Sequence, residues 1–171
     1  PKFWSAPSLS SVAMGQEVGL TGIQLAAAAS AIHNGGILMK PRIVMEIRDS
    51  DGETIKAYPP AVKRRVISEA TAREVKEIMK KVVSKVGTGS RAIIDKPGVS
   101  VGRKTGTAQK IVDGAYSHGH FVASFVGFVE RGDKIVTILV SVDDPRPVYY
   151  GGSVAAPLFK QMAERVQEYW R

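Results

Sequence analysis

The chain has 171 residues, 44% of them hydrophobic and 23% charged, which excludes a disordered tail and fits one domain with a substantial core. It has no cysteine, hence no disulfide and no thiolate metal site, and no apolar run near the ~20 residues that span a bilayer. The net charge of +8 is spread out, with Lys63-Arg64-Arg65 its densest cluster; no finger, helix-turn-helix or RNA-binding spacing accompanies it, so no nucleic-acid partner is expected.

Pro1 opens no signal-peptide pattern, so the expectation is either a cytosolic protein or a piece of a longer one. Thr21 and Gln24 have the spacing of a capping box and predict an alanine-rich helix over residues 23–32, stopped by Asn34-Gly35-Gly36. Residues 43–58 read as two extended segments around Asp49-Ser50-Asp51-Gly52, a hairpin with charged outer positions. A second helix starts near Ser68, where Val75, Ile78, Met79, Val82, Val83 and Val86 recur at helical spacing until Gly87.

Three extended runs follow, at residues 99–110, 121–130 and 134–142, and the tight Arg131-Gly132-Asp133 makes the last two antiparallel neighbours. The second has Phe121, Ala123, Phe125 and Val129 on one face and Val122, Val126 and Phe128 on the other, as a strand inside a covered sheet should; the third is similar. The first carries Arg103, Lys104, Thr105, Thr107, Gln109 and Lys110 and is predicted to be an edge strand. From about Ser153 a C-terminal helix sets Val154, Leu158, Met162, Val166 and Tyr169 in one stripe toward the sheet, with Pro157 in its first turn.

Several motifs invite a chemical reading. Gly87-Thr88-Gly89-Ser90-Arg91-Ala92 has dinucleotide-fingerprint spacing but follows a helix instead of a strand, so its glycines read as a terminator and turn. His118-Gly119-His120 reads as a polar loop between strands and not as a metal site, because no third histidine lies close in sequence. The stretch from Gly98 to Thr107 looks like a phosphate loop until Arg103 is seen to separate Gly102 from Lys104.

What remains is Lys104-Thr105-Gly106-Thr107 on an edge strand. Period two sends Lys104 and Gly106 to one face and Thr105 and Thr107 to the other, so one ligand can meet all four only along the open edge. There Lys104 offers a fixed charge, the threonine hydroxyls suit a carboxylate, Gly106 removes bulk, and the Thr107 N–H can donate to a developing oxyanion. An ordinary solvated edge strand accounts for these four residues as well.

Lys-Thr-Gly is one signature of the penicillin-binding proteins and serine β-lactamases, beside Ser-x-x-Lys and Ser-x-Asn/Asp-Asn. Further stretches stand in the order found in class B penicillin-binding proteins. They are Gly15-Gln16-Glu17-Val18-Gly19-Leu20-Thr21 before Gln24-Leu25-Ala26, Asn34-Gly35-Gly36 before Lys40-Pro41-Arg42, and Gly87-Thr88-Gly89. Gly102-Arg103-Lys104-Thr105-Gly106-Thr107-Ala108-Gln109 and Tyr150-Gly151-Gly152-Ser153-Val154-Ala155-Ala156-Pro157 complete the set. From about Trp4 to Trp170 the chain resembles the C-terminal part of their transpeptidase domain. Gly22 stands where the family commonly has proline. No serine is followed three residues later by lysine, and the only asparagine, Asn34, comes two residues after Ile32, so the other two signatures are absent. In the family both precede this segment.

The resemblance implies a mixed α/β (α+β) fold, a mostly antiparallel five-stranded sheet covered by helices. Residues 1–171 would hold three of its strands, its C-terminal helix and a hairpin insertion at about residues 41–60. It implies a serine D,D-transpeptidase on the extracytoplasmic side of the bacterial inner membrane, anchored by a segment absent from this chain. The implied ligands are the D-alanyl-D-alanine stem peptide of peptidoglycan and β-lactam antibiotics, with no cofactor and no metal. The implied partners are the upstream part of the same domain and proteins of division or elongation. Carried onto this sequence, the catalytic residues are Lys104, in the polar network around the nucleophile, and Thr107, through its N–H; Thr105, Gly106 and Thr107 bind substrate. The chain by itself is expected to be inactive. The alternative is a non-catalytic module that binds a cell-wall polymer or a partner protein, for which the charge and the edge strand suffice.

Overall fold

The computed structural model describes residues 4–81, 94 and 96–170. Val82, Val83, Val86 and the stretch Gly87-Thr88-Gly89-Ser90-Arg91-Ala92 lie outside the described residues. A short helix, α1 (Ser8–Ala13), precedes α2 (Gly22–His33). The capping box that predicts α2 is formed in both directions: the Gln24 N–H donates to the Thr21 hydroxyl and the Thr21 N–H to Gln24 Oε1. Asn34 caps its other end.

Strands β1 (Ile37–Met39), β2 (Glu46–Arg48), β3 (Thr54–Ala57) and β4 (Val62–Arg65) make two antiparallel pairs, β1 with β4 and β2 with β3. The hairpin β2–β3 projects with all its strand residues exposed, and the Asp49 carboxylate closes its turn by accepting from the N–H groups of Asp51 and Glu53. Helix α3 (Glu69–Lys81) starts at Ser68, whose hydroxyl accepts from the Thr71 N–H. Ile78 of its expected apolar stripe is exposed; Ala72 and Met79 are the buried residues.

The main sheet is β5 (Val99–Val112), β6 (Ala115–Arg131) and β7 (Lys134–Asp143), antiparallel in that order. The polar run is the edge strand that its composition predicts, and β6 is central. The strands overrun their expected ends, so Tyr116, His118 and His120 belong to β6 and not to a loop. The ladder carries β6 through the weak strand formers Ala115, Ser117 and Gly119: it shifts register between Gln109 and Ile111, the Gln109 side chain donates to the Ser117 carbonyl, and the turn shrinks to Asp113-Gly114.

Helices cover both faces. α2 and α3 lie over the face that carries Phe128, Glu130 and Thr137. On the other face lie α4 (Gly151–Val154), α5 (Ala156–Val166) and a 3-10 turn (Gln167–Trp170). Here Phe125, Val129, Ile138 and Val140 meet Ala155, Ala156, Phe159 and Ala163 in the main core. The expected stripe of the C-terminal helix is therefore corrected in part: Val166 does pack against this core, but Leu158, Met162 and Tyr169 are exposed, and the buried residues of α5 are Ala156, Phe159 and Ala163. Gly127 explains this, since a Cβ there would lie 3.1 Å from the Phe159 ring, and the alanines beside that ring let the helix close on the strand. Among the described residues no helix is long and apolar enough to cross a membrane.

Candidate active site

Residues 103–107 of β5 pair in turn with Gly127, Val126, Phe125, Ser124 and Ala123 of β6 and have no strand on their other side among the described residues. Lys104 is exposed, and its Nζ turns back to donate to the Thr105 carbonyl at 2.6 Å. Thr107, on the opposite face, meets the start of α4: the Gly151 N–H donates to its Oγ1 at 3.2 Å. Gly106 is enclosed from both sides. Ser124 Oγ occupies the space that a Cβ at Gly106 would need, so the bulk that Gly106 lacks is supplied by the chain's own cross-strand serine. From the other face Gly151 sits so close to the carbonyl oxygens of Gly106 and Ser124 that it has no room for a Cβ either.

Arg103, the residue that breaks the phosphate-loop register, is fully buried against a pair of rings that pack on each other. Its guanidinium carbon lies 5.9 Å from the centroids of Phe125 and Phe159, and none of its three nitrogens has a hydrogen-bond partner among the described residues. Burial lowers its pKa to about 10, which leaves it charged at neutral pH. Two cation–π contacts at about 0.5–2 kcal/mol each offset only part of such a desolvation. Its effect on the site is positional, because it fixes β5 against α5 one residue before Lys104.

Farther along the hairpin, the Tyr116 hydroxyl accepts from the Glu17 N–H at 2.9 Å. His120 Nδ1 is 2.9 Å from Asp144 Oδ2, which Arg146 also approaches, and the bond to His120 holds the Asp144 carboxyl below its ordinary pKa. No hydrogen bond among the described residues joins Tyr116, His118 or His120 to Lys104, Thr105, Gly106 or Thr107. Among those residues no three His, Asp or Glu side chains gather as metal ligands. The groups that do reach the strand are Ser124 and Gly151. In the sequence Gly151 is marked by the glycine pair Gly151-Gly152, which opens α4 and allows a close backbone approach, and by the stretch Tyr150 to Pro157 that carries part of the resemblance.

The transpeptidase domain of the penicillin binding proteins matches residues 1–164. The chain belongs to this family. Stage V sporulation protein D of Bacillus subtilis is 42% identical over 148 residues, which are 85% of this chain and 22% of that protein. The probable peptidoglycan D,D-transpeptidase PenA of Neisseria gonorrhoeae is 34% identical over 160 residues, 93% of this chain and 25% of that protein. Among solved structures, apo penicillin binding protein 3 of Mycobacterium tuberculosis superposes with a TM-score of 0.85 at 29% identity, over 98% of this chain and 39% of that one. The helix-covered antiparallel sheet is thus that of a penicillin-binding-protein transpeptidase domain, and this chain spans only a minor part of the length of these relatives. A hollow of about 230 Å³ elsewhere in the domain, lined by Ile23, Ala26, Ala27, Ser30, Met39, Pro41 and Thr137, lies against β7 and has no charged group. The Lys-Thr-Gly edge is the better candidate for a ligand site, because it presents a cation, hydroxyls and an open strand together.

Proposed function

We propose that this chain is the C-terminal part of a serine D,D-transpeptidase domain that cross-links peptidoglycan stem peptides and is acylated by β-lactams. The observation that supports this reading best is the lie of Lys104-Thr105-Gly106-Thr107 along the open edge of the sheet, in a chain of this family. Lys104 supplies positive charge beside the nucleophile, and the hydroxyls of Thr105 and Thr107 hold the terminal carboxylate of D-alanyl-D-alanine. Gly106 lets the strand pass between Ser124 and Gly151, and the Thr107 N–H donates to the oxyanion. A serine from upstream attacks the penultimate carbonyl, the C–N bond to the last D-alanine breaks, and an amine of a neighbouring strand takes over the acyl group. β-Lactams enter by the same attack; the Mycobacterium tuberculosis relative has been solved with aztreonam and with ampicillin.

The 171 residues contain neither Ser-x-x-Lys nor Ser-x-Asn, so this segment has no covalent route of its own. The upstream part of the domain is its obligatory partner, division or elongation proteins are further ones, and its place is the outer side of the inner membrane. Labelling with a fluorescent penicillin tests the reading on this chain, on the upstream half and on the two together. The mixture should label, on the upstream half, and the chain alone should not. A mixture that folds and stays unlabelled would favour the non-catalytic wall-binding module. In the assembled domain Thr107→Val keeps strand propensity and size but loses the hydroxyl. It should weaken carboxylate recognition by about 1–3 kcal/mol, and unchanged acylation would remove that side chain from the site.

A further inference from the structure

We infer that Gly151 is a positioning residue: its backbone N–H holds the Thr107 hydroxyl as a hydrogen-bond donor toward the open edge of β5, so that the site selects ligands carrying a carboxylate. The inference rests on the transpeptidase reading and deepens it. A free threonine hydroxyl, with one proton and two lone pairs, rotates to serve either a donor or an acceptor. Here the Gly151 N–H, 3.2 Å away, takes up one lone pair. An N–H cannot accept, so the hydroxyl's own proton must point elsewhere. Thr107 is exposed and its hydroxyl has no acceptor among the described residues, so that proton is left for a ligand.

Three features enforce the contact. Gly151 has no room for a Cβ against the carbonyls of Gly106 and Ser124, so only glycine brings a backbone N–H this close to β5. On the other side of the strand, Ser124 fills the space beside Gly106 and keeps β5 from retreating. The segment before Gly151 is anchored by Tyr149, which stacks on Phe121 with ring centroids 4.1 Å apart, and the Ala155 N–H closes on the Gly151 carbonyl at 3.0 Å. A donor fixed in advance gains most from an anionic acceptor, and Lys104 stands on the same edge.

The test uses the full-length protein that contains this chain, with benzylpenicillin and its methyl ester, which keeps the β-lactam ring and loses the carboxylate charge. Gly151→Ala, which must displace the Gly106 and Ser124 carbonyls, should lower acylation by both compounds, and by the acid about tenfold more than by the ester. Thr107→Val should lower the acid-over-ester preference by a similar factor, and the double variant should lose no more of that preference than either single one, because Gly151 acts on it only through that hydroxyl. Thr107→Ser should recover most of the acid-over-ester preference that valine removes. Equal losses toward acid and ester, or losses of that preference that add in the double variant, would overturn the inference and leave Gly151 a packing residue. Because the alanine crowds two carbonyls, amide hydrogen exchange of Gly151 is measured as well, in the wild type and in Thr107→Val. Exchange should quicken when the hydroxyl is gone, and an unchanged rate would overturn the inference without recourse to the alanine variant. That measurement needs no acylation: a wild type inert toward both compounds refutes the transpeptidase reading, while exchange still decides whether Gly151 holds Thr107.

Discussion

His33, in the last turn of α2, packs its ring 4.9 Å from that of Phe128 and sets Nε2 2.6 Å from the Thr137 hydroxyl. Burial, and then the charge of Lys76, lower its pKa from 6.5 to about 4, against a smaller opposing pull from Glu130. Since the folded-state value lies below the unfolded one, the neutral ring's contribution is complete above pH 6.5 and is lost as pH falls toward 4. With allowance for the ring's partial exposure, urea unfolding should show a loss of about 1–2 kcal/mol over that interval. His33→Phe should flatten the profile there, and a variant as steep as the wild type would assign the slope to other groups. Nothing around His33 in the sequence announces this burial, because its partners Phe128 and Thr137 lie on two strands about a hundred residues away. Lys104, Thr105 and Thr107 were legible for the opposite reason: a polar run among apolar strands has few places in a covered sheet other than its edge. Arg103 shares that polar run and is nevertheless buried, against the apposed rings of Phe125 and Phe159.

At the scale of elements, ends were easier to read than faces. Thr21 and Gln24 fix the start of α2 by hydrogen bonds local to the sequence, as Ser68 does for α3. The buried face of α5 depends on a residue in another element, since Gly127 opens a slot for Phe159 and the small Ala156 and Ala163 follow it inward. Alanines carry little weight in a hydrophobic pattern, so Leu158 and Met162 draw the eye to the wrong stripe. The pair β1–β4 has no signal in the sequence because Lys63-Arg64-Arg65 has no apolar alternation; backbone pairing with Ile37 and Leu38 forms it. The stripe has an energetic test. Phe159→Ala removes a fully buried ring and should cost about 3–5 kcal/mol, whereas Leu158→Ala should stay within about 0.5 kcal/mol. Urea denaturation of the two variants separates them, and a larger loss at Leu158 would restore the stripe first expected from the sequence.

For the whole molecule, the two edges of the main sheet pose different problems. β5 leaves its outer edge open with lysine and threonine on it, side chains that deter pairing with another strand. β7 has no such protection over most of its length: Val136, Ile138, Val140 and Val142 lie on the face of α5, Ile135 and Leu139 on the face of α2, and only β6 pairs with it among the described residues. An apolar strand with a free edge is a template for pairing. The 171-residue chain expressed alone is therefore expected to associate through Lys134–Asp143, with the upstream segment when that is supplied as a separate chain, or else with its own copies or into aggregates. The charge of +8 opposes contact between copies but not with an uncharged or acidic upstream strand, so self-association should grow as salt screens the repulsion. Size-exclusion chromatography with light scattering, at low and high salt and with or without the upstream half, measures this. The upstream half should yield an equimolar complex in which amide exchange along β7 slows. A stable monomer at high concentration and high salt, with fast exchange confined to loops, would mean that β7 is an edge the fold tolerates and that the chain is complete without a neighbouring strand.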